Sequence, residues 1–284
     1  MANRVAASLG VLVCLSGPAL VQADDTTASV FDAGGFNRNR DFFSQLPFEH
    51  IDPLTGNLLL TFTDLVLPGN AGFDLRIQRS YNSKIYRDYH LLNETLGEDS
   101  WAGVGWTLHL GRVFHYNFGF TAPPLIEMPD GSRHQTHAHI DSSGRFISRD
   151  FWIYDKNTQT LKLPDGVIYT FAHSANTSGI PGGSAAYATR IEDPFGNRID
   201  VEYWNQVGAS SSCQNASAPF DGLCKITQRI GTQTRVVTFT YETTYKSIRT
   251  MTYAGAATHT WTYTSAATNS AGHSLLTQVA PPVG

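Results

Sequence analysis

Three histidines form the densest chemistry-capable set in the sequence: His134, His137 and His139, within His134-Gln-Thr-His137-Ala-His139. Side chains alternate along a strand, so His137 and His139 share a face while His134 points away. Two imidazoles on one face can hold a metal once another element supplies a third ligand. An exposed polar strand beside a turn explains the same residues equally well, and no metal is assigned to them. The carboxylates Asp150 and Asp155, Glu192 and Asp193, and Glu242 are the second set. Two of them brought within roughly 5–9 Å would suit glycosidic acid–base chemistry, but spacing along the chain does not report that distance. Asp130, Asp165 and Asp193 already have a local use, since aspartate beside Pro and Gly shapes a turn. No G-x-S-x-G, H-E-x-x-H or phosphate-loop pattern occurs. The expectation is a chain with no catalytic residues, no cofactor and no turnover.

Of the three cysteines, Cys14 lies in the apolar N-terminal run. Cys213 and Cys224 flank a polar loop, Gln214 to Gly222. A bridge between them would contribute about 2–3 kcal/mol, mainly by restricting the unfolded chain. Two free thiols are the alternative; with neither C-x-x-C nor a nearby His, zinc has no support.

Met1-Ala-Asn-Arg4 precedes an apolar run from Val5 to Val21, broken near its end by Pro18. Val21-Gln22-Ala23 then offers small residues where a signal peptidase reads, and Asp24-Asp25 follow. That layout predicts a secretory signal cleaved between Ala23 and Asp24, taking Cys14 with it. A membrane anchor needs about 20 apolar residues, and this run is shorter and carries Gly10, Ser16, Gly17 and Pro18. No later stretch is long and apolar enough to span a bilayer. The mature chain is therefore expected outside the inner membrane: secreted, periplasmic or at the cell surface. A net charge of −4 with 15% charged residues excludes a basic nucleic-acid footprint.

These residues must be positioned by strands. Aromatics make up 12% of the chain against three Met, a mixture that favours strands and tight turns. Leu58, Leu60 and Phe62 share one face of a run to Leu67, and Asp74 to Tyr81 alternates, with Leu75 and Ile77 opposite Arg76 and Gln78. The Gly-rich turn between them predicts a hairpin. Trp101-Ala-Gly-Val-Gly-Trp106 introduces a strand read as Thr107–Val113. Turn signals recur at Pro129-Asp-Gly131, Ser142-Ser-Gly144, Pro164-Asp-Gly166 and Asp193-Pro-Phe-Gly-Asn197. Tyr169/Phe171, Phe239/Tyr241, Met251/Tyr253 and Trp261/Tyr263 are two residues apart and face the same way. They could stack sugars or pack across strands. Ser174 to Ala186 reads as a flexible low-complexity loop. The fold class is all-β: repeated antiparallel β-hairpins forming an open curved sheet.

Ile51-Asp-Pro-Leu-Thr-Gly-Asn-Leu58, Thr63-Asp-Leu-Val-Leu-Pro-Gly69 and Leu75-Arg-Ile-Gln-Arg-Ser-Tyr-Asn-Ser83 occur in that order. They resemble the N-terminal module of Rhs/YD-repeat proteins, which has a T-G-N-L strand, a D-L-x-L-P-G strand and an R-x-Y-N-S strand. Trp101–Trp106 is similar to the family's G-x-G-W element. Met128-Pro-Asp-Gly131, Leu163–Phe171 and Ile191–Tyr203 resemble its repeat units. The resemblance implies a β-ribbon coiled into a hollow shell, as in bacterial toxins and teneurins, which contains or presents a cargo without turnover. It suggests 1–23 as signal, 24–46 as extended leader, 47–120 as the Rhs-type N-terminal module and 121–284 as an incomplete YD-repeat-like array. The implied function is a structural or containment module, whose partners are further repeats of a longer polypeptide or a cargo or toxin domain. Ser274–Val279 is then expected to form an unpaired edge. The second reading is a surface carbohydrate-binding or adhesive β-protein. It would show a row of solvent-facing aromatics, whereas a shell piece packs them.

Overall fold

The structure, a computed structural model, describes residues 46–53, 56–83, 86–87, 95–96, 101–116, 123–138, 143–175, 183–214, 222–242, 247–267 and 274–282. The apolar N-terminal run, the Ala23–Asp24 junction, most of the leader and His139 lie outside the described residues. Alternating segments rich in β-branched and aromatic residues form twenty-two strands among the described residues. They are β1 (Glu49–Asp52), β2 (Asn57–Leu67), β3 (Leu75–Asn82), β4 (Tyr86–Arg87), β5 (Thr95–Leu96), β6 (Trp106–Thr107), β7 (Arg112–Tyr116) and β8 (Leu125–Glu127). Then come β9 (Arg133–Ala138), β10 (Arg145–Ser148), β11 (Ile153–Asp155), β12 (Thr160–Lys162), β13 (Ile168–Thr170), β14 (His173–Ala175) and β15 (Gly183–Tyr187). The last seven are β16 (Arg190–Glu192), β17 (Arg198–Tyr203), β18 (Leu223–Ile230), β19 (Gln233–Tyr241), β20 (Ile248–Ala254), β21 (Thr258–Ala267) and β22 (Ser274–Ala280). Helix among the described residues is confined to two single turns, Asn70–Gly72 and Ser211–Cys213.

One sheet has the order β1-β2-β3-β6, and β4 pairs with β5. The remaining sixteen strands form a single sheet in the order β14-β15-β7-β8-β9-β10-β11-β12-β13-β16-β17-β18-β19-β20-β21-β22. Its ends are β14 and β22, so the all-β architecture is open, not a closed barrel. Only Ala188 and Thr189 separate β15 from β16 in the chain, yet seven strands stand between them in the sheet order. Those seven must therefore curl, and they enclose a core of Val113, Ile126, Tyr154, Leu161, Phe171, Ala186 and Ala188. A second core gathers Leu67, Leu75 and Ile77 from the β2–β3 hairpin with Val237, Phe239, Met251, Trp261 and Tyr263 from β19 to β21. The opposite face of those strands carries threonines in cross-strand register, Thr240↔Thr250↔Thr262 and Thr238↔Thr252↔Thr260. Period-2 alternation of apolar and hydroxyl residues thus decides which face is buried.

The β2–β3 hairpin forms as its pattern predicts, with Leu75 and Ile77 fully buried. The run to Leu67 is one strand, as its pattern predicts, although the family resemblance implied two: β2 runs from Asn57 to Leu67 with a register shift at Asp64, between Thr63 and Leu65. Leu58, Leu60 and Phe62 share its half-buried face, where Phe62 stacks on Phe48 at 4.8 Å. The expected strand Thr107–Val113 is instead broken into β6 and β7. Gly111 adopts φ +126, which takes the chain out of the ladder, and its N–H is turned onto Nδ1 of His109 at 3.0 Å. The expected loop Ser174–Ala186 is also corrected. Both its ends are paired, β14 with β15 and β15 with β7. Ala185 and Ala186 lie opposite Phe114 and Val113 and are buried, so their small size is a packing requirement.

Candidate functional site

The Pro129-Asp-Gly131 turn organises the first polar cluster. Gly131 takes φ +82, and a Cβ there would sit 2.9 Å from the Ser80 side chain on β3. Thr61 on β2 donates to the Asp130 carbonyl at 2.8 Å, which docks the turn on the four-stranded sheet. Asp130 Oδ1 accepts the Ser132 backbone N–H at 2.9 Å and its hydroxyl at 2.6 Å. Ser132 Oγ lies 3.1 Å from His134 Nε2, and His134 Nδ1 lies 2.7 Å from Asp150 Oδ2. Trp152 stacks on the imidazole at 3.9 Å.

This connectivity is that of a Ser–His–Asp triad, but the serine is not disposed to attack. Ser132 is 1% exposed, and its hydroxyl hydrogen is directed to Asp130. The ring nitrogens of His134 are occupied on either side, Nε2 by Ser132 Oγ and Nδ1 by Asp150. A serine whose hydroxyl hydrogen is directed to Asp130 does not offer it to the imidazole, as a catalytic serine must to its general base. The cluster holds two turns together. His137 stands on the exposed face of β9, away from His134, and no group of three possible metal ligands occurs among the described residues.

The second cluster is wholly buried. Glu127 ends β8 opposite Arg112 on β7 and Arg133 on β9. Its Oε1 accepts from Arg112 at 2.6 Å and from His109 at 2.9 Å, and its Oε2 from Arg133 at 2.5 Å. Because the Gly111 N–H donates to His109 Nδ1, the histidine hydrogen is on Nε2 and points at Glu127. Burial alone would raise the Glu127 carboxyl. The Arg112 and Arg133 charges and the His109 hydrogen bond outweigh it and hold the carboxyl well below its ordinary value. Both guanidiniums lie over Phe114, at 4.6 and 5.4 Å. Sequence reading missed this set because its members meet only through strand register.

The third cluster joins the two large sheets. The register shift at Asp64 turns its carboxylate inward, where Arg79 Nε and Nη2 grip it at 2.6 and 2.9 Å. Tyr263, 199 residues away on β21, donates to the same carboxylate at 2.8 Å. Phe62, Trp106 and Tyr263 surround the guanidinium at 5.2–5.9 Å. Asp64 and Arg79 belong to the D-L-V-L-P-G and R-S-Y-N-S segments, so these motif positions act as an inter-sheet clamp.

The other anticipated carboxylates are dispersed. Asp155 accepts the backbone N–H groups of Asn157 and Thr158, Asp165 accepts that of Val167, and Asp193 those of Phe195 and Asn197. Glu242 pairs through its backbone with Ser247. The Glu192 side chain makes no hydrogen bond or ion pair among the described residues. Cys213 and Cys224 are bridged, with Cα atoms 5.7 Å apart, across the connection between β17 and β18. The aromatic pairs turn inward: Phe171, Phe239, Met251, Trp261 and Tyr263 are all buried. Burial, with the Asp155 charge, pushes the Tyr154 hydroxyl up to about 12.

A family described as "Domain of unknown function (DUF6531)" matches residues 48–118, the span from β1 through β7. Among curated proteins none matches the chain. Solved structures similar to it include the N-terminal domain of effector protein SpvB from Salmonella typhimurium strain LT2. That domain is 11% identical with a TM-score of 0.43, over 78% of this chain and 98% of that one. The TcdB2–TccC3 structure without its hypervariable C-terminal region is 12% identical with a TM-score of 0.44, over 87% of this chain. The Photorhabdus luminescens Tc holotoxin pore is 12% identical with a TM-score of 0.43, over 86% of this chain. The match spans 16% and 15% of those two longer chains.

Proposed function

We propose that this chain is a non-catalytic structural module of an exported Rhs/YD-repeat protein, forming part of a β-shell that encloses or presents a toxin or other cargo. The observation that carries the reading is the Asp64–Arg79–Tyr263 clamp. It gives the residues of the N-terminal motifs an architectural task, fixing the β1-β2-β3-β6 sheet onto strands far along the chain. Inward packing of the aromatic pairs supports it, as does the use of Ser132, His134 and Asp150 to hold turns. Its partners on this reading are further repeats of a longer polypeptide, or the cargo itself. Electron microscopy of the protein as its cells export it should show a hollow β-walled particle with this module in the wall. A solid particle, or turnover of a glycan, peptide or ester that is lost with Asp150→Asn in a folded protein, would overturn the reading. Export itself is tested by mass spectrometry, which should find Asp24 as the new amino terminus; intact Met1 outside the cell would refute it.

A further inference from the structure

The Asn70–Gly72 turn between β2 and β3 meets the Asp193–Asn197 turn between β16 and β17, where Asn70 Nδ2 donates to Asn197 Oδ1 at 3.4 Å. Between them lies a groove of about 550 Å³, lined by Asn70, Glu192, Phe195, Asn197, Arg198 and Arg229 among others. Its walls are fixed in advance. Asp193 holds its turn through the backbone N–H groups of Phe195 and Asn197 and through the Asn197 amide, at 2.7–2.9 Å. Gln228 and Arg235 donate to the carbonyls of Leu67 and Pro68 and so tie the other wall to β18 and β19.

The groove's chemistry is mixed in a specific way. Phe195 is 80% exposed on a rigid turn and offers a flat apolar platform. Arg190, Arg198 and Arg229 all reach Asp200 through Nε, at 3.3, 3.0 and 2.9 Å. The Nη groups of Arg198 and Arg229 make no hydrogen bond among the described residues. The Glu192 side chain has no partner among the described residues either, although Arg198 lies directly across the strand pair from it. Among the lining residues, Arg198 and Arg229 against Glu192 leave one net positive charge.

From this we infer that the groove binds an acidic saccharide, a sugar ring bearing a carboxylate. The apolar C–H face of the ring stacks on Phe195, and the ligand carboxylate takes the guanidinium donors, whose fork matches it. The ring hydroxyls donate to Glu192 and to the Asn70 side-chain oxygen. Glu192 argues against a bare phosphate or sulfate, whose charge it repels and which lacks the several hydroxyl donors of a sugar ring. The preformed walls lower the ordering cost of binding. This inference stands on the groove alone and is independent of the shell reading.

The test is calorimetric titration of the full chain with a galacturonic acid hexamer, a neutral dextran oligomer and inorganic phosphate. The galacturonate should bind with one site per chain. Phe195→Ala should weaken it about tenfold with an unchanged melting curve, since the ring is exposed. Arg229→Gln should weaken it by at least as much, and Glu192→Gln should weaken it by removing the charged acceptor of the ring hydroxyls. Absence of galacturonate binding at about 10 mM overturns the inference, a concentration where even a weak specific site responds. So does equal binding of dextran, indifference to Phe195→Ala, or displacement of the galacturonate by equimolar phosphate.

Discussion

Glu127 is enclosed by two arginines and a histidine, and its ionised form is the one the protein is built around. Removing the charge with Glu127→Gln leaves two buried guanidiniums without their shared carboxylate. The expected loss is about 3–5 kcal/mol, the cost of breaking a buried pair, read as a lower urea midpoint at neutral pH. A midpoint unchanged within error would mean that the arginines find water or other acceptors. The pH dependence has a definite sign. The folded carboxyl titrates below its ordinary 4.5, so its contribution is fully present above that value. It is lost progressively as the pH falls from there toward the depressed folded value. Acid unfolding of the Gln variant should show correspondingly less dependence on pH over that window. His134 differs in kind. It sits between Asp130-bound Ser132 and Asp150, and its two ring nitrogens link the turns on either side of β9 and β10.

Among elements, the β2–β3 hairpin and β21 are joined by few polar atoms, so the clamp can be tested one hydrogen bond at a time. Tyr263→Phe keeps the packing and removes one charge-assisted bond to Asp64, an expected loss of about 1.5–3 kcal/mol. Asp64→Asn also weakens the grip on Arg79 and should cost about 3 kcal/mol or more. A double-mutant cycle should show strong coupling between them; additive losses would mean that Tyr263 acts through packing alone. The bridge Cys213–Cys224 closes a short connection, so Cys213→Ser with Cys224→Ser should cost about 2–3 kcal/mol. An unshifted urea midpoint would mean the Ser211–Cys213 turn already holds that connection. What was legible in the sequence here was local. Asp130, Asp165 and Asp193 bend their own turns, and Leu75 and Ile77 alternate onto the core, because those outcomes depend on neighbours in the chain. The clamp was half legible: its two residues stood in the motif segments, but their partner Tyr263 is brought in by the order of the strands. Illegible segments were those where tertiary packing reverses local habit. Ala185 and Ala186 look like linker and are core, and Gly111 looks like a strand residue and ends one. Arg112, Glu127 and Arg133 carry no spacing signal at all, since cross-strand register alone makes them neighbours.

For the whole molecule the decisive feature is how the large sheet ends. Every inner strand has a neighbour on both sides, whereas β22 pairs with β21 and is the last strand in the order. The Trp101–Trp106 segment reaches only its start, where Val104 N–H donates to the Ser274 carbonyl at 2.8 Å. Beyond that point no strand among the described residues lies on its outer side. The devices that blunt such edges are scarce on it. Leu275-Leu-Thr-Gln-Val-Ala280 contains no charge and no proline, and Leu275 is an exposed large apolar residue. A sheet that grows by successive hairpins can be extended there by one more strand, through backbone hydrogen bonds that need no particular side chain. The isolated chain should therefore self-associate with rising concentration in sedimentation. The amides of Ser274–Ala280 should exchange faster than those of Ile248–Ala254, which lie between two strands. Gln278→Lys, which puts a charge on the edge at an exposed position, should shift the sedimentation toward monomer while leaving the melting curve unchanged. A concentration-independent monomer whose Ser274–Ala280 amides are as protected as those of β20 would show that the edge is already satisfied within this chain. The sheet would then be complete as it stands, without a further strand.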